Sequence, residues 1–309
     1  LPISRADPTP GRAGGLVVSA SGNLVVLAAG GTGGHMFPAE ALAGELLARG
    51  YAVALVTDAR GKGFGDRLPE VDVHRISAAG LAGRGLVGRA RGALQLLRGF
   101  WEARGLLRRL NPAVVVGFGS YASVPAVMAA QRAGIRTVLH EQNAVLGRAN
   151  RLLARRAAKI ALSFDRVHGL PGGDSGRTVV TGNPVRPAIA AVADRPYPQC
   201  DGDLCLLITG GSQGARVFSQ VVPAAIEMLD ESLRSRLRIA QQCRAEDFAS
   251  VRDAYDRLGI VAELATFFAD MPERLAVAHL AITRAGASTV SELCAAGRPA
   301  ILVPYPHAA

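Results

Sequence analysis

The side chains with the most chemistry in this chain gather on glycine-rich runs. Gly30-Gly31-Thr32-Gly33-Gly34-His35 ends in an imidazole, the group that titrates nearest neutral pH. Glycines in such a run let backbone N–H groups approach a phosphate or a sugar that a Cβ would hold off. The pattern returns at Gly210-Gly211-Ser212-Gln213-Gly214-Ala215-Arg216. Three more stretches carry polar groups: His140-Glu141-Gln142-Asn143, Gly182-Asn183-Pro184-Val185-Arg186, and Arg284-Ala285-Gly286-Ala287-Ser288-Thr289-Val290-Ser291-Glu292. Amides, hydroxyls and arginines suit an anionic ligand, and a histidine among them suits proton transfer.

The elements that must position these groups are strands and helices in alternation. Residues 24–28 form a continuous apolar run of strand length, and residues 39–49 are rich in alanine and leucine at helical spacing. Gly30 to Gly34 therefore sits at a strand-to-helix turn, where an α/β sheet binds its ligand. The helix that follows offers free N–H groups and the positive end of its dipole. Residues 205–209, the second glycine run and residues 217–229 repeat that unit, which implies two nucleotide-fold halves. Residues 52–57, 113–117 and 137–140 read as further strands of the first half, and residues 238–242, 261–264, 280–283 and 300–303 as strands of the second. The fold class is α/β. Residues 1–23 read as a disordered tail, 24–182 as the first domain, 183–200 as a proline-punctuated linker, and 201–309 as an incomplete second domain.

Composition narrows the function classes. The 309 residues suffice for two domains with separate cores, and 49% hydrophobic content with 36 glycines and 5% aromatics excludes a disordered or fibrous chain. The formal charge of +10 is almost all arginine, since Lys62 and Lys159 are the only lysines. Such a surface suits a phosphorylated substrate or an anionic membrane. Aromatics that would stack on bases are nearly absent from the arginine-rich stretch, so no nucleic acid is expected as a partner. Cys200, Cys205, Cys243 and Cys294 lack Cys-x-x-Cys spacing, which points to neither a metal site nor a disulfide framework and to a reduced cytoplasmic compartment. No apolar run reaches the roughly 18 residues of a membrane span, and residues 1–23 lack the basic start and apolar core of a signal peptide. Asp201-Gly202-Asp203 has the form of a metal-binding Asp-x-Asp but precedes a strand, so it reads as a turn.

Two stretches leave alternatives open. Asp58 ends the second strand, where a dinucleotide fold holds a ribose, so an NAD-dependent oxidoreductase stays in view. Against it, Met36 stands where the third glycine of that fingerprint belongs. Between residues 81 and 110, Leu86, Leu94, Leu97 and Trp101 mix with Arg89 and further arginines, at helical spacing from Ala93 onward. The stretch is either a helix packing its apolar stripe on the sheet or a patch whose apolar groups dip into a membrane surface.

Taken as a set, Gly30 to His35, His140 to Asn143, Gly182 to Arg186, Gly210 to Arg216 and Arg284 to Glu292 resemble the MurG family. These are the bacterial enzymes that transfer N-acetylglucosamine from UDP-N-acetylglucosamine to lipid I, and the likeness runs from about residue 24 to the end of the chain. The resemblance implies a GT-B fold, two Rossmann-like domains with parallel sheets facing across a cleft. It implies that Arg186, Ser212 and Gln213 lie against the donor diphosphate and sugar, and that the backbone around Phe268 pairs with uracil. Ala287, Ser288, Thr289, Val290 and Ser291 would cradle phosphate, and Glu292 would accept from the ribose hydroxyls. On the facing wall, Thr32, Gly33, Gly34 and Asn143 would touch the sugar donor or the acceptor diphosphate.

The implied reaction inverts the anomeric centre and needs a base, for which His35 is the candidate. It implies no cofactor and no metal. The implied partners are UDP-N-acetylglucosamine, undecaprenyl-pyrophosphoryl-MurNAc-pentapeptide (lipid I) and an anionic membrane surface at the cytoplasmic face, with Leu86, Arg89, Leu94, Leu97 and Trp101 as the docking patch. Ser120 stands where the family usually has glycine, and Gln241 and Arg244 replace residues of a His-Gln-x-Gly element. The family continues past Ala309 with a glutamine-bearing donor loop, more sheet and a closing helix, so the chain reads as a gene fragment. An inactive nucleotide-sugar-binding remnant is the non-enzymatic alternative. The transferase reading requires His35 and Glu292 to look into one gap.

Overall fold

The computed structural model describes residues 23–30, 33–59, 68–78, 85–171, 176–211 and 215–305. Its first lobe is built on a seven-stranded sheet of β1 (Leu24–Ala28), β2 (Ala52–Thr57), β3 (Asp72–Arg75), β4 (Val114–Gly117), β5 (Arg136–Glu141), β6 (Lys159–Leu162) and β7 (Thr178–Val180). All neighbours pair in parallel, in the order β3-β2-β1-β4-β5-β6-β7. The helices are α1 (Gly33–Ala48), α2 (Leu86–Leu110), α3 (Ser120–Arg132) and α4 (Arg148–Leu153). Alternate side chains of β1 leave on opposite faces. Val26 and Ala28 join Ala103, Leu107 and Val127 in the core under α2 and α3, while Val25 and Leu27 join Ala39 and Ala43 under α1. A strand covered on both sides needs the unbroken apolar run seen in the sequence.

The second lobe carries β8 (Leu204–Thr209), β9 (Leu237–Gln242), β10 (Val261–Ala265), β11 (Leu280–Arg284) and β12 (Ala300–Val303), parallel in the order β10-β9-β8-β11-β12. Its helices are α5 (Pro187–Ala190), α6 (Arg216–Glu227), α7 (Glu231–Arg234), α8 (Phe248–Arg257), α9 (Met271–Val277) and α10 (Ala287–Ala296). Ile208, Phe218, Val222, Ile239 and Tyr255 fill one face of the sheet, and Leu207, Leu275 and Leu293 the other. The passage read as a linker does more than connect. Its helix α5 and the 3-10 turn Ala191–Asp194 seat Ile189 and Val192 in the second lobe's core beside Leu207 and Leu293.

This topology dictates where a ligand can go. β1 lies between β2 and β4, and β8 between β9 and β11, so strand order reverses at both places. The turns after β1 and β4 diverge, as do those after β8 and β11, and each pair leaves a crevice at the carboxyl ends of the strands. The Asp-x-Asp stretch bends into β8 with Asp203 paired to Arg238 at 3.0 Å. Among the described residues, no helix is long and apolar enough to cross a membrane.

Helix α2 starts at Leu86, well ahead of Ala93, and runs through Gly88 and Gly92. It is pinned to the segment after β3. Glu102 accepts from the Ser77 N–H at 2.7 Å and from its hydroxyl at 3.1 Å, with Arg98 donating at 2.8 Å. Burial pushes the Glu102 carboxyl up, and these bonds more than reverse it, leaving it below the usual range. Gly99 permits the close approach, since a Cβ there would stand 1.8 Å from the Ser77 carbonyl oxygen. Gly99→Ala is expected to destabilise the chain by about 1–3 kcal/mol through overpacking against backbone. Gly105→Ala, whose Cβ would meet only the end of Arg109 at 3.9 Å, is expected to stabilise by up to about 1 kcal/mol. Urea unfolding of both variants measures the contrast.

Candidate active site

The crevices of the two sheets open on one cleft of about 570 Å³. The first lobe lines it with Gly33, Gly34, His35 and Phe37 of α1 and with Gln142 and Asn143 beyond β5. The second lobe supplies Gly210 and Gly211 beyond β8, Ala287, Ser288, Thr289 and Glu292 of α10, and Arg216, Arg244 and Arg284. His35 and Glu292 do look into one gap. A smaller pocket shares this wall, formed by Arg186, Thr209, Gln242, Phe268, Thr283 and Glu292 together with Phe37 from the opposite lobe.

Helix α1 begins at Gly33, ahead of the start at residue 39 expected from apolar spacing, so Gly33, Gly34 and His35 form its first turn. Pro38 has no N–H, which leaves the Gly34 carbonyl four residues back without a helical donor. That carbonyl accepts from the Ser288 hydroxyl across the cleft at 3.0 Å.

His35 Nδ1 lies 2.8 Å from the Phe118 carbonyl oxygen and 3.2 Å from Gln142 Oε1. Both are acceptors, so Nδ1 carries the proton of the neutral ring and Nε2 keeps its lone pair. Gly119 brings the β4 loop against this ring: its φ of +79° is a glycine conformation, and a Cβ there would sit 3.5 Å from His35 Cε1. Ser120 next to it also takes a left-handed φ of 64°, which accounts for the glycine usual at that place in the family it resembles. Beyond β5, the buried Glu141 carboxylate accepts from the Asn143 N–H (3.1 Å), Asn143 Nδ2 (3.1 Å), the Gly147 N–H (2.8 Å) and Asn150 Nδ2 (2.9 Å). The four bonds hold the loop and leave the Asn143 side-chain oxygen for a ligand. Asp58, the ribose-binding candidate of the dinucleotide reading, is buried behind Gly30 instead.

On the opposite wall, Arg186 donates through Nε and Nη2 to Glu292 Oε1, both at 2.9 Å, and its guanidinium lies 4.4 Å from the Phe37 ring centroid. Helix α10 starts at Ala287, so the N–H groups of Ala287, Ser288 and Thr289 have no helical acceptor and are available to an anion. Val290 N–H bonds Gly286 and the Ser291 hydroxyl bonds Ala287, so those two residues complete the turn. Phe268 is buried under Arg274, whose guanidinium stands 3.9 Å from its ring and forks onto Glu263 at 2.6 and 2.8 Å. Gln242 joins the two loops of this pocket, accepting from the Gly210 N–H at 3.2 Å and donating to the Thr266 carbonyl at 3.0 Å. The Thr283 hydroxyl and the Asn183 side-chain oxygen are buried without a partner among the described residues.

Thr32, Ser212 and Gln213 lie outside the described residues, as do the side chains of Leu86 and Arg89. Sequence reasoning missed Phe37, Gln142 and Gln242 as working parts of the site. Gln142 stood inside a motif already singled out, but its partner His35 is 107 positions away. Burial raises the Glu292 carboxyl above its ordinary range, and Arg186 pulls it partly back. A carboxyl raised in the native state holds its proton more tightly than in the unfolded chain, so its ionisation burdens stability only as pH rises through its titration range. Arg186→Leu leaves that charge uncompensated and is expected to cost about 3–5 kcal/mol near neutral pH. The loss should shrink below about pH 4, where the carboxyl is protonated, and urea unfolding at both pH values reads it.

With the geometry in place, comparison with known proteins is direct. Residues 25–162 match the glycosyltransferase family 28 N-terminal domain and residues 205–309 its C-terminal domain. A UDP-N-acetylglucosamine–N-acetylmuramyl-(pentapeptide) pyrophosphoryl-undecaprenol N-acetylglucosamine transferase of Rhodospirillum centenum is 62% identical over 286 residues, 92% of this chain and 75% of that protein. The namesake of Rhodospirillum rubrum is 56% identical over 299 residues, 96% of this chain and 76% of the relative. The crystal structure of MurG from Acinetobacter baumannii superposes with a TM-score of 0.67 at 30% identity, covering 93% of this chain and 79% of that one. Two parallel sheets facing across a cleft, both halves of the family matched, and relatives this similar lead to one conclusion: the chain is a GT-B glycosyltransferase and belongs to glycosyltransferase family 28.

Proposed function

We infer that the chain transfers N-acetylglucosamine from UDP-N-acetylglucosamine to the C4 hydroxyl of the N-acetylmuramyl residue of lipid I, giving lipid II for peptidoglycan. The observation that carries the mechanism is His35 Nε2, left with its lone pair on a cleft whose opposite wall holds the α10 N-terminus and the Arg186–Glu292 pair. The muramyl hydroxyl oxygen attacks C1 of the donor sugar, and its proton passes to His35 Nε2. The bond from C1 to the diphosphate breaks, and UDP leaves with the electron pair. The N–H groups of Ala287, Ser288 and Thr289, on the cleft, and the Arg186 guanidinium, in the adjoining pocket, stabilise the charge that develops there. Glu292 receives the ribose hydroxyls, and the backbone beside Phe268 receives the uracil. Asn143, Gly33 and Gly34 take the sugar and the acceptor diphosphate on the facing wall.

The acceptor is tethered to a lipid, which gives α2 a role. Leu94, Leu97 and Trp101 follow one stripe of that helix and are 67%, 55% and 61% exposed, in an arginine-rich setting that includes Arg98. Apolar groups of this kind dip into a bilayer interface while arginines meet anionic headgroups. The reading is therefore a peripheral enzyme at the cytoplasmic face of the membrane.

His35→Ala is expected to lower turnover about 10²- to 10⁴-fold with UDP-N-acetylglucosamine affinity retained; unchanged turnover on a lipid I analogue would remove the base from the scheme. Replacing Leu94, Leu97 and Trp101 together by serine should abolish co-sedimentation with phosphatidylglycerol vesicles while donor binding in solution persists. Full vesicle binding by that variant would place the membrane contact elsewhere.

A further inference from the structure

The proton on His35 is fixed by a chain of hydrogen bonds that runs away from the cleft. Gln142 Oε1 faces His35 Nδ1 at 3.2 Å, and Gln142 Nε2 faces His140 Nδ1 at 3.0 Å and the His140 carbonyl oxygen at 3.2 Å. His140 Nε2 in turn faces the Gly182 carbonyl oxygen at 3.2 Å. Gln142 and His140 are both buried.

Backbone carbonyls only accept, and three of them settle every proton in this chain. The Phe118 carbonyl requires a proton on His35 Nδ1. The His140 carbonyl requires the amide nitrogen of Gln142 on its own side, which turns Oε1 toward His35. The Gly182 carbonyl requires a proton on His140 Nε2, which leaves His140 Nδ1 as the acceptor that Gln142 needs. Burial holds the His140 pKa down and keeps that ring neutral. Turning the Gln142 amide over would set a donor against the His35 Nδ1–H and an oxygen against a carbonyl oxygen, so the arrangement has one consistent solution.

Resting on His35 as the base, we propose that Gln142 is its positioning residue: anchored through His140 to the Gly182 carbonyl at the start of the passage between lobes, it holds His35 in the tautomer whose Nε2 receives the acceptor's proton. Gln142 has both ends of its amide engaged and acts through His35 without needing to touch substrate. The wrong tautomer at a catalytic histidine removes the base while leaving the geometry almost unchanged.

The test separates this role from that of His35 itself. Gln142→Met removes both amide functions at similar length and should lower kcat about 10- to 100-fold with KM for UDP-N-acetylglucosamine within about twofold. Gln142→Glu still offers His35 Nδ1 an acceptor and should recover most of that loss. A folded Met variant with parental kcat, or one whose defect lies in KM, overturns the proposal. Nitrogen-15 NMR of the histidine-labelled parent chain needs no variant: it should find His35 protonated at Nδ1 and bare at Nε2, and the opposite tautomer also overturns the proposal. Full activity in His35→Ala alongside the expected tautomer would sink the base assignment and leave the hydrogen-bond chain intact.

Discussion

The site depends on backbone groups that have no partner within their own helix or strand. Parallel strands and the helices that follow them end with unpaired amides and carbonyls, and burial makes an unpaired polar group costly. Here those groups are what position the side chains. The Phe118 and Gly182 carbonyls sit beyond β4 and β7 and orient two imidazoles. The Gly210 N–H, beyond β8, is taken by Gln242. The amides that open α10 keep their capacity for an anion because nothing in the helix can use it. Chemistry gathers at the carboxyl ends of both sheets because that is where the fold leaves hydrogen bonds unmade.

The smaller pocket on the second lobe shows two uses of charge. Arg186 is held by Glu292 on one side and covered by Phe37 on the other, which fixes its guanidinium. Arg274 is used differently. Its fork onto Glu263 and bond to Asp270 make it a flat lid on Phe268, and both carboxyls sit below their usual range because of that hydrogen bonding. Of the two arginines, one faces the cleft and the other supports the wall behind it.

Much of this was legible in the residues. Unbroken apolar runs such as Leu24–Ala28 and Leu204–Thr209 mark buried strands, and the glycine runs after them mark the cleft end of each sheet. What was less legible depends on contacts between distant segments. The early start of α1 runs through glycines and Pro38, residues that local propensity counts against a helix. The passage before β8 looks like a linker from its prolines, yet Ile189 and Val192 find their burial only against the second sheet. The Gln142 amide is oriented on one end by His140, two residues away, but the His35 ring that gives its other end a role comes from α1, 107 positions away. The resemblance named candidate residues as a set, and the carbonyls that accept from His35, Gln142 and His140 assign their protons.

The bond from Ser288 to the Gly34 carbonyl exists because a proline in α1 cannot donate. A hydroxyl has a single hydrogen to give, and Ser288 gives it to the opposite lobe. That hydrogen joins the first turn of α1 to the first turn of α10, one helix from each lobe. The residue that removes a donor inside one lobe thereby leaves an acceptor for the other.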